Sequence, residues 1–317
     1  MKRFCTAAGL LALFALGACK NTNEQAEFLD KKIKENESII QQYIADKGLQ
    51  MQKTEDGVYY YVEGTPTSTQ AANDSLFHHV FIQYETYLLP YETLIDDRYK
   101  RAGNDTLRFP YGTTYAYNTL TLPIGISQMV DLMKPGQNGI FLVNYLRGYG
   151  ERGTPFMPPY SPIRVDLALK AVKTDAQLID DYIARKGYSN VVELDKGVKY
   201  VRLIAPPDGA EQVGDSVNVV VNYILRSVED KTYDSGSDFR FFLFPRDTTQ
   251  TDASDPVNLS TVIEGWQIGV SQMYVGERGV LFVPSDVGYG KNGSGSIPPY
   301  EPLVFEIEVK ERILPGE

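Results

Sequence analysis

The chain has 317 residues, 23% of them charged, with a formal net charge of -10 at pH 7. That balance excludes nucleic acid as a partner, because binding by counterion release needs clustered Lys and Arg. With His78 and His79 the only histidines, and Cys5 and Cys19 the only cysteines, neither a disulfide framework nor a His-ligated metal centre is expected, and no cofactor is called for. The length suits two domains of ordinary size, stabilised by hydrophobic cores.

In chain order, the first element is an export signal over 1–18. Lys2 and Arg3 precede an apolar run from Phe4 to Leu16 that is too short to span a bilayer as a settled helix. Leu16-Gly17-Ala18-Cys19 resembles a bacterial lipobox. The resemblance implies that Cys19 becomes the acylated first residue of the mature chain, with several acyl chains holding it at a membrane. It would then reside in the bacterial cell envelope, on the periplasmic or surface face. Residues 19–37 carry almost no apolar side chains, the composition of a lipid-anchored flexible tether.

From there the sequence repeats itself. IIQQYIADKG at 39–48 returns as LIDDYIARKG at 178–187, and EDGVYYYV at 55–62 as DKGVKYVR at 195–202. The stretch 122–170 aligns with 262–310 without a gap at an offset of 140, with Gly, Pro and Tyr coinciding. The reading is a tandem duplication with its seam near Thr174, giving domains at 38–173 and 174–317. In the second repeat, Leu178, Ile179, Tyr182 and Ile183 recur at helical spacing and Gly187 marks a stop. Strands are predicted at 197–204, 217–225 and 239–244, then a short helix over 263–273 with Ile268 and Met273 inward. RGVLFV and PLVFEIEVKERI alternate as two further strands. Many strands with one helix among them give an α+β fold, an antiparallel sheet wrapped around a short helix in each repeat. Of the paired carboxylates Asp96-Asp97 and Asp180-Asp181, the latter lies on a predicted helix face and reads as solvated charge.

The segment 262–310 contains, in order, Val-Ile-x-Gly-Trp, Met-x-x-Gly, Tyr-Gly, Ile-Pro-Pro and Leu-Val-Phe. Five ordered blocks over about fifty residues are far more specific than one short motif. They resemble the C-terminal half of FK506-binding proteins, the FKBP-type peptidyl-prolyl isomerases. The resemblance implies a pocket built from Tyr223, Tyr233, Asp234, Phe241, Val262, Ile263, Trp266, Tyr289, Ile297 and Phe305, with Phe239 and Phe241 matching the family's Phe-x-Phe. Trp266 would be the floor beneath a proline ring. The Ile263 amide and the Tyr289 hydroxyl would donate to substrate carbonyls, and Asp234 would orient at the rim. Proline-bearing polypeptide segments are the implied partners, and an FK506-type macrolide an implied ligand.

Such a lining fits the reaction. Rotation about the bond before proline faces about 18–20 kcal/mol and takes tens of seconds uncatalysed. The twisted transition state has lost amide resonance, so a dry aromatic pocket favours it over the planar ground state. A thousandfold acceleration needs only about 4 kcal/mol of differential binding.

The sequence departs from the family pattern in three places. The segment after Asp234 is short and lacks the arginine that often pairs with that aspartate. An insertion, LFPRDTTQTDASDPVNLST, follows Phe242, and Ser296 stands before Ile297. The first repeat departs further. Leu122 and Pro123 stand opposite Val262 and Ile263, Ile126 opposite Trp266, and Val165 opposite Phe305, while Tyr84, Tyr149 and Met157-Pro158-Pro159 persist. Its nearest candidate for the aromatic-Asp pair is Ile95-Asp96. Pro123 has no amide proton to donate and Ile126 lacks the indole's area, so the first repeat is expected to bind or position without isomerising. Beside the isomerase stands a non-catalytic reading, an FKBP-like chaperone or binding lipoprotein of the envelope, as in gliding-motility assemblies.

Overall fold

The computed structural model describes residues 9–74, 79–96, 106–113, 122–153, 156–243 and 262–314, with side chains from residue 24 onward. The N-terminal half of the export signal, the Cys19 side chain and most of the insertion after Phe242 lie outside the described residues. Among the described residues no helix is long and apolar enough to cross a membrane. The chain divides into two compact units, Met1–Leu76 with Val80–Val172, and Lys173–Glu317 with Phe77–His79.

The first unit opens with helix α1, Gly9–Lys47, where the sequence suggests a tether to residue 37. Ion pairs at helical spacing join Asp30 to Lys34 (2.6 Å) and Lys32 to Glu35 (2.7 Å), each worth a few tenths of a kcal/mol. Fixed contacts do the rest. The Asn36 amide, buried, donates to the Tyr160 carbonyl and accepts from the Tyr145 N–H, both at 2.9 Å. The Phe28 ring meets Tyr160 edge-on at 5.3 Å. Polar composition hid the helix because one buried amide and one ring, not an apolar stripe, hold this part of it. Further along, Ile40 and Tyr43 join Tyr59, Leu89 and Leu142 in a small core.

The sheet of this unit contains β1 (Gln52–Lys53), β2 (Tyr59–Glu63), β3 (His79–Leu88), β4 (Thr93–Asp96), β5 (Leu107–Pro110), β6 (Asn138–Val143) and β7 (Ile163–Lys173). Their order is β1-β2-β6-β7-β3-β4, with β5 also on β3. Helix α2, Ile126–Asp131, buries Ile126, Met129 and Val130 against it.

In the second unit, helix α3 spans Asp175–Lys186. Thr174 and Gln177 form a reciprocal capping box at its start, and Gly187 ends it in the left-handed conformation (φ +70°). The sheet is six-stranded, β11-β10-β13-β12-β9-β8. Its strands are β8 (Val192–Glu193), β9 (Lys199–Ile204), β10 (Val217–Ser227), β11 (Thr232–Leu243), β12 (Arg278–Val283) and β13 (Leu303–Ile313). β11 starts well before the predicted 239, because residues 232–236 already pair with β10. Helix α4 is Glu264–Val270, shorter than the predicted 263–273, although Ile268 and Met273 are both buried as expected. It lies hard against β12. A Cβ on Gly265 would come within 2.3 Å of a Val283 methyl, and one on Gly269 within 2.4 Å of Leu281. Only glycine permits this approach, which sets the depth of Trp266 above the sheet.

Candidate functional site

Strand alternation turns Val217, Val219, Val221, Tyr223 and Leu225 of β10 toward the core beneath α4. The antiparallel register sets Leu225 opposite Asp234 on one side and opposite Phe305 on the other. Between these residues and α4 lies a cavity of about 250 Å³, lined by Tyr223, Leu225, Asp234, Phe239, Val262, Ile263, Trp266, Tyr289 and Phe305. Seven of the ten residues suggested by the sequence resemblance meet here.

Trp266 is only 3% exposed and forms the base. Tyr223 and Phe305 stand almost perpendicular to it, at 5.3 and 5.2 Å between ring centres, and Phe239 meets it at 6.1 Å. Edge-to-face contacts of this kind hold an aromatic box rigid beyond what area burial gives. The indole Nε1 is buried and has no hydrogen-bond acceptor among the described residues, an unusual cost at a protein's own expense.

Asp234 and the two tyrosines supply the polar side. The Tyr223 hydroxyl donates to Asp234 Oδ2 at 2.6 Å, and the Ser235 N–H donates to Oδ1 at 2.8 Å. Burial, reinforced by Asp234, pushes the Tyr223 and Tyr289 hydroxyls above the ordinary tyrosine range. Both therefore remain protonated donors through the physiological range. Ile263 caps α4, its carbonyl accepting from the Trp266 N–H at 3.0 Å.

Three expected residues stand outside the lining. Phe241 is fully buried one layer deeper, stacked on Phe239 at 5.8 Å and 5.1 Å from Trp266, so it braces the floor without facing the cavity. Ile297, 8% exposed, belongs to the hydrophobic core. Tyr233 precedes Asp234 in an extended strand and packs against that core with the Lys231 ammonium 4.9 Å from its ring centre. Phe239 was visible in the Phe-x-Phe pattern, but which of the two phenylalanines faces the opening was not. Leu225 was missed. The alternation Val221, Tyr223, Leu225 was the signal that could have found it.

Two larger depressions, about 460 Å³ around Asn222, Arg278 and Glu306 and about 350 Å³ around Gln83, Asn138 and Asp166, lie elsewhere on the sheets. In the larger, Glu306 is already paired with Arg226 and Arg278, and Glu308 accepts from the Asn222 amide. Neither offers an aromatic floor.

The turn after α4 is fastened by Glu277, fully buried. Its carboxylate accepts from the Tyr274 N–H (3.0 Å), Arg202 Nε (2.9 Å) and the Tyr200 hydroxyl. Arg202 is half exposed, so water screens much of its pull. Burial wins and pushes the Glu277 carboxyl up to about 7. In the first unit Gln137 fastens the corresponding turn with a neutral amide, accepting from the Lys134 N–H at 2.7 Å.

The first unit keeps the frame of the site. The Tyr84 hydroxyl donates to Asp96 Oδ2 at 3.1 Å, and Thr86 faces Asp96 in the register as Leu225 faces Asp234. Asp96, with Ile95 before it, thus occupies the place of Asp234. Here, however, Tyr84, Thr86, Asp96, Leu122, Ile126 and Val165 are all buried.

A model of the FKBP-type peptidyl-prolyl cis-trans isomerase family matches residues 209–310. FK506-binding protein 1 of Yarrowia lipolytica is 33% identical over 110 residues, 34% of this chain and 93% of the relative. FK506-binding protein 4 of Dictyostelium discoideum is 32% identical over 126 residues, 39% of this chain and 31% of the relative. The chain therefore spans less than a third of the Dictyostelium protein's length. The solved three-domain structure of wheat FKBP73 covers 84% of this chain and all of its own, at 20% identity and a TM-score of 0.36. The chain belongs to the FKBP-type peptidyl-prolyl cis-trans isomerase family, and its two units are each α+β with an antiparallel sheet.

Proposed function

We propose that the second unit catalyses cis-trans isomerisation of X-Pro bonds in exported polypeptides, non-covalently, within the Trp266 cavity. The observation that carries the reading is a cavity of about 250 Å³ with an indole base and aromatic walls, bordered by protonated tyrosine hydroxyls. A proline ring entering it would rest on Trp266 between Tyr223 and Phe305. The Tyr289 hydroxyl and the Ile263 amide would donate to the flanking carbonyls, and the dry surroundings would favour the twisted imide over the flat one. An FK506-type macrolide would compete for the same surface.

The proposal extends to location: signal cleavage after Ala18, acylation of Cys19 and tethering in the bacterial cell envelope, where emerging chains have slow X-Pro steps. Mass spectrometry of the mature N-terminus checks the anchor. An unmodified Cys19 removes it.

The activity is tested by magnetisation-exchange NMR on a proline tetrapeptide with the full chain. Accelerated exchange, suppressed by FK506, is expected. Exchange that is as fast with Trp266→Ala as with the parent would refute a catalytic cavity and leave the binding-lipoprotein reading. For the first unit the non-catalytic reading is preferred, because Pro123 has no amide proton where Ile263 has one and Ile126 stands in place of the indole.

A further inference from the structure

Asp234 in the cavity lining, and residues next to the lining in the chain, carry a charge pattern that proline recognition does not require. The Asp234 carboxylate lines the cavity and, among the described residues, is bonded only by neutral donors, the Tyr223 hydroxyl and the Ser235 N–H. Glu264 directly follows the lining residue Ile263, with about half of its side chain exposed, and pairs with Lys196. That same ammonium lies in the field of Asp195 and Asp286. Asp286 sits in the short turn just before Tyr289. Three carboxylates thus share one ammonium, and Asp234 adds a further negative charge. Among the described residues, Lys231 lies against Tyr233, outside the lining, and Lys291 is exposed two residues beyond Tyr289.

The first repeat supplies a built-in contrast. At the positions of Glu264 and Asp286 it carries Ile124 and Leu146, both exposed and neutral. Acid at these positions goes with the repeat that carries Trp266, whose indole N–H has no acceptor among the described residues. We infer that the cavity selects proline segments with Lys or Arg next to the proline over segments with Asp or Glu there. The inference rests on the reading of the cavity as a proline site and names its preferred clients. Near the surface, a client cation beside one or two uncompensated carboxylates gains severalfold in affinity, and a client carboxylate loses as much.

The test uses the full chain and three peptides, Ala-Xaa-Pro-Phe with Lys, Ala or Glu at Xaa, at low ionic strength. Chemical-shift titration reads binding and magnetisation exchange reads catalysis. The order Lys, Ala, Glu is expected, with about a tenfold spread that contracts to about twofold in 0.5 M salt. The double variant Glu264→Gln, Asp286→Asn should narrow the low-salt spread at least about threefold. Equal handling of the three peptides overturns the inference, as does a spread that neither salt nor the variant alters. Binding in the expected order without accelerated exchange upholds the preference while removing the catalytic reading. A cavity that takes none of the three overturns both.

Discussion

The two repeats share a scaffold and differ at its centre. In the second, Trp266 lies under a cavity that Tyr223, Leu225, Phe239 and Phe305 wall but do not fill. In the first, Ile126 and Val165 replace the two rings, and Leu122, Tyr84 and Asp96 are buried around them. Duplication preserved the tyrosine-aspartate hydrogen bond in both, at 2.6 Å in one and 3.1 Å in the other. What differs between the repeats is therefore not the polar pair. It is the large, rigid rings, which cannot collapse onto one another as aliphatic side chains do.

The largest break in that comparison is Trp266→Ala. Isomerisation should fall by at least about a hundredfold, and the second unit should lose about 3–5 kcal/mol of stability, since a buried indole is removed. Trp266→Phe separates the two effects by keeping an aromatic floor. Exchange NMR and urea unfolding read them, and parental exchange in the alanine variant would leave the floor without a catalytic role.

Next comes the hydroxyl of Tyr289. Tyr289→Phe removes one donor to the substrate and should cost about tenfold in kcat/KM with little change in stability. Activity unchanged within a factor of two would exclude Tyr289 from carbonyl recognition. The converse experiment enlarges the first repeat's centre. Ile126→Trp puts an indole at a fully buried position and should destabilise that unit by about 1–3 kcal/mol through overpacking; a neutral effect in chemical unfolding would mean that this core has room for the ring.

The smallest expected effect concerns the turn after α4. Glu277 holds its proton more tightly folded, at about 7, than at the ordinary carboxyl value of 4.5. Its contribution to stability is thus fully present below about pH 4.5 and is lost as pH rises through about 7. The second unit should lose thermal stability between pH 5 and 8, and Glu277→Gln, the residue type at Gln137 in the first, should flatten that slope. A melting temperature with the same pH slope in parent and variant would assign the dependence to other groups.

Much of the site could be read from the chain. Three of the five ordered motif blocks carried Val262, Ile263, Trp266, Tyr289 and Phe305 into one cavity, and Tyr223 and Asp234 joined them. Three expected residues fall outside the lining for different reasons. Tyr233 adjoins Asp234, and a strand sends neighbours to opposite faces; Phe241 lies one layer deeper behind Phe239, and Ile297 joins the core eight residues beyond Tyr289. Leu225 carries no motif and enters the site only through its register with Asp234 and Phe305. The helical reach of α1 escaped for a different reason. Its decisive partner is Asn36, bonded to Tyr145 and Tyr160 more than a hundred residues away.

By itself the sequence determined the duplication, the α+β pattern and the inventory of aromatic residues, because periodicity and spacing are local properties that survive without coordinates. Only the tertiary structure decided which rings face open space and which are core. That choice depends on the approach of α4 to β12 through Gly265 and Gly269, and on cross-strand register. Both are set by packing between residues distant in the chain, where no linear pattern records the outcome.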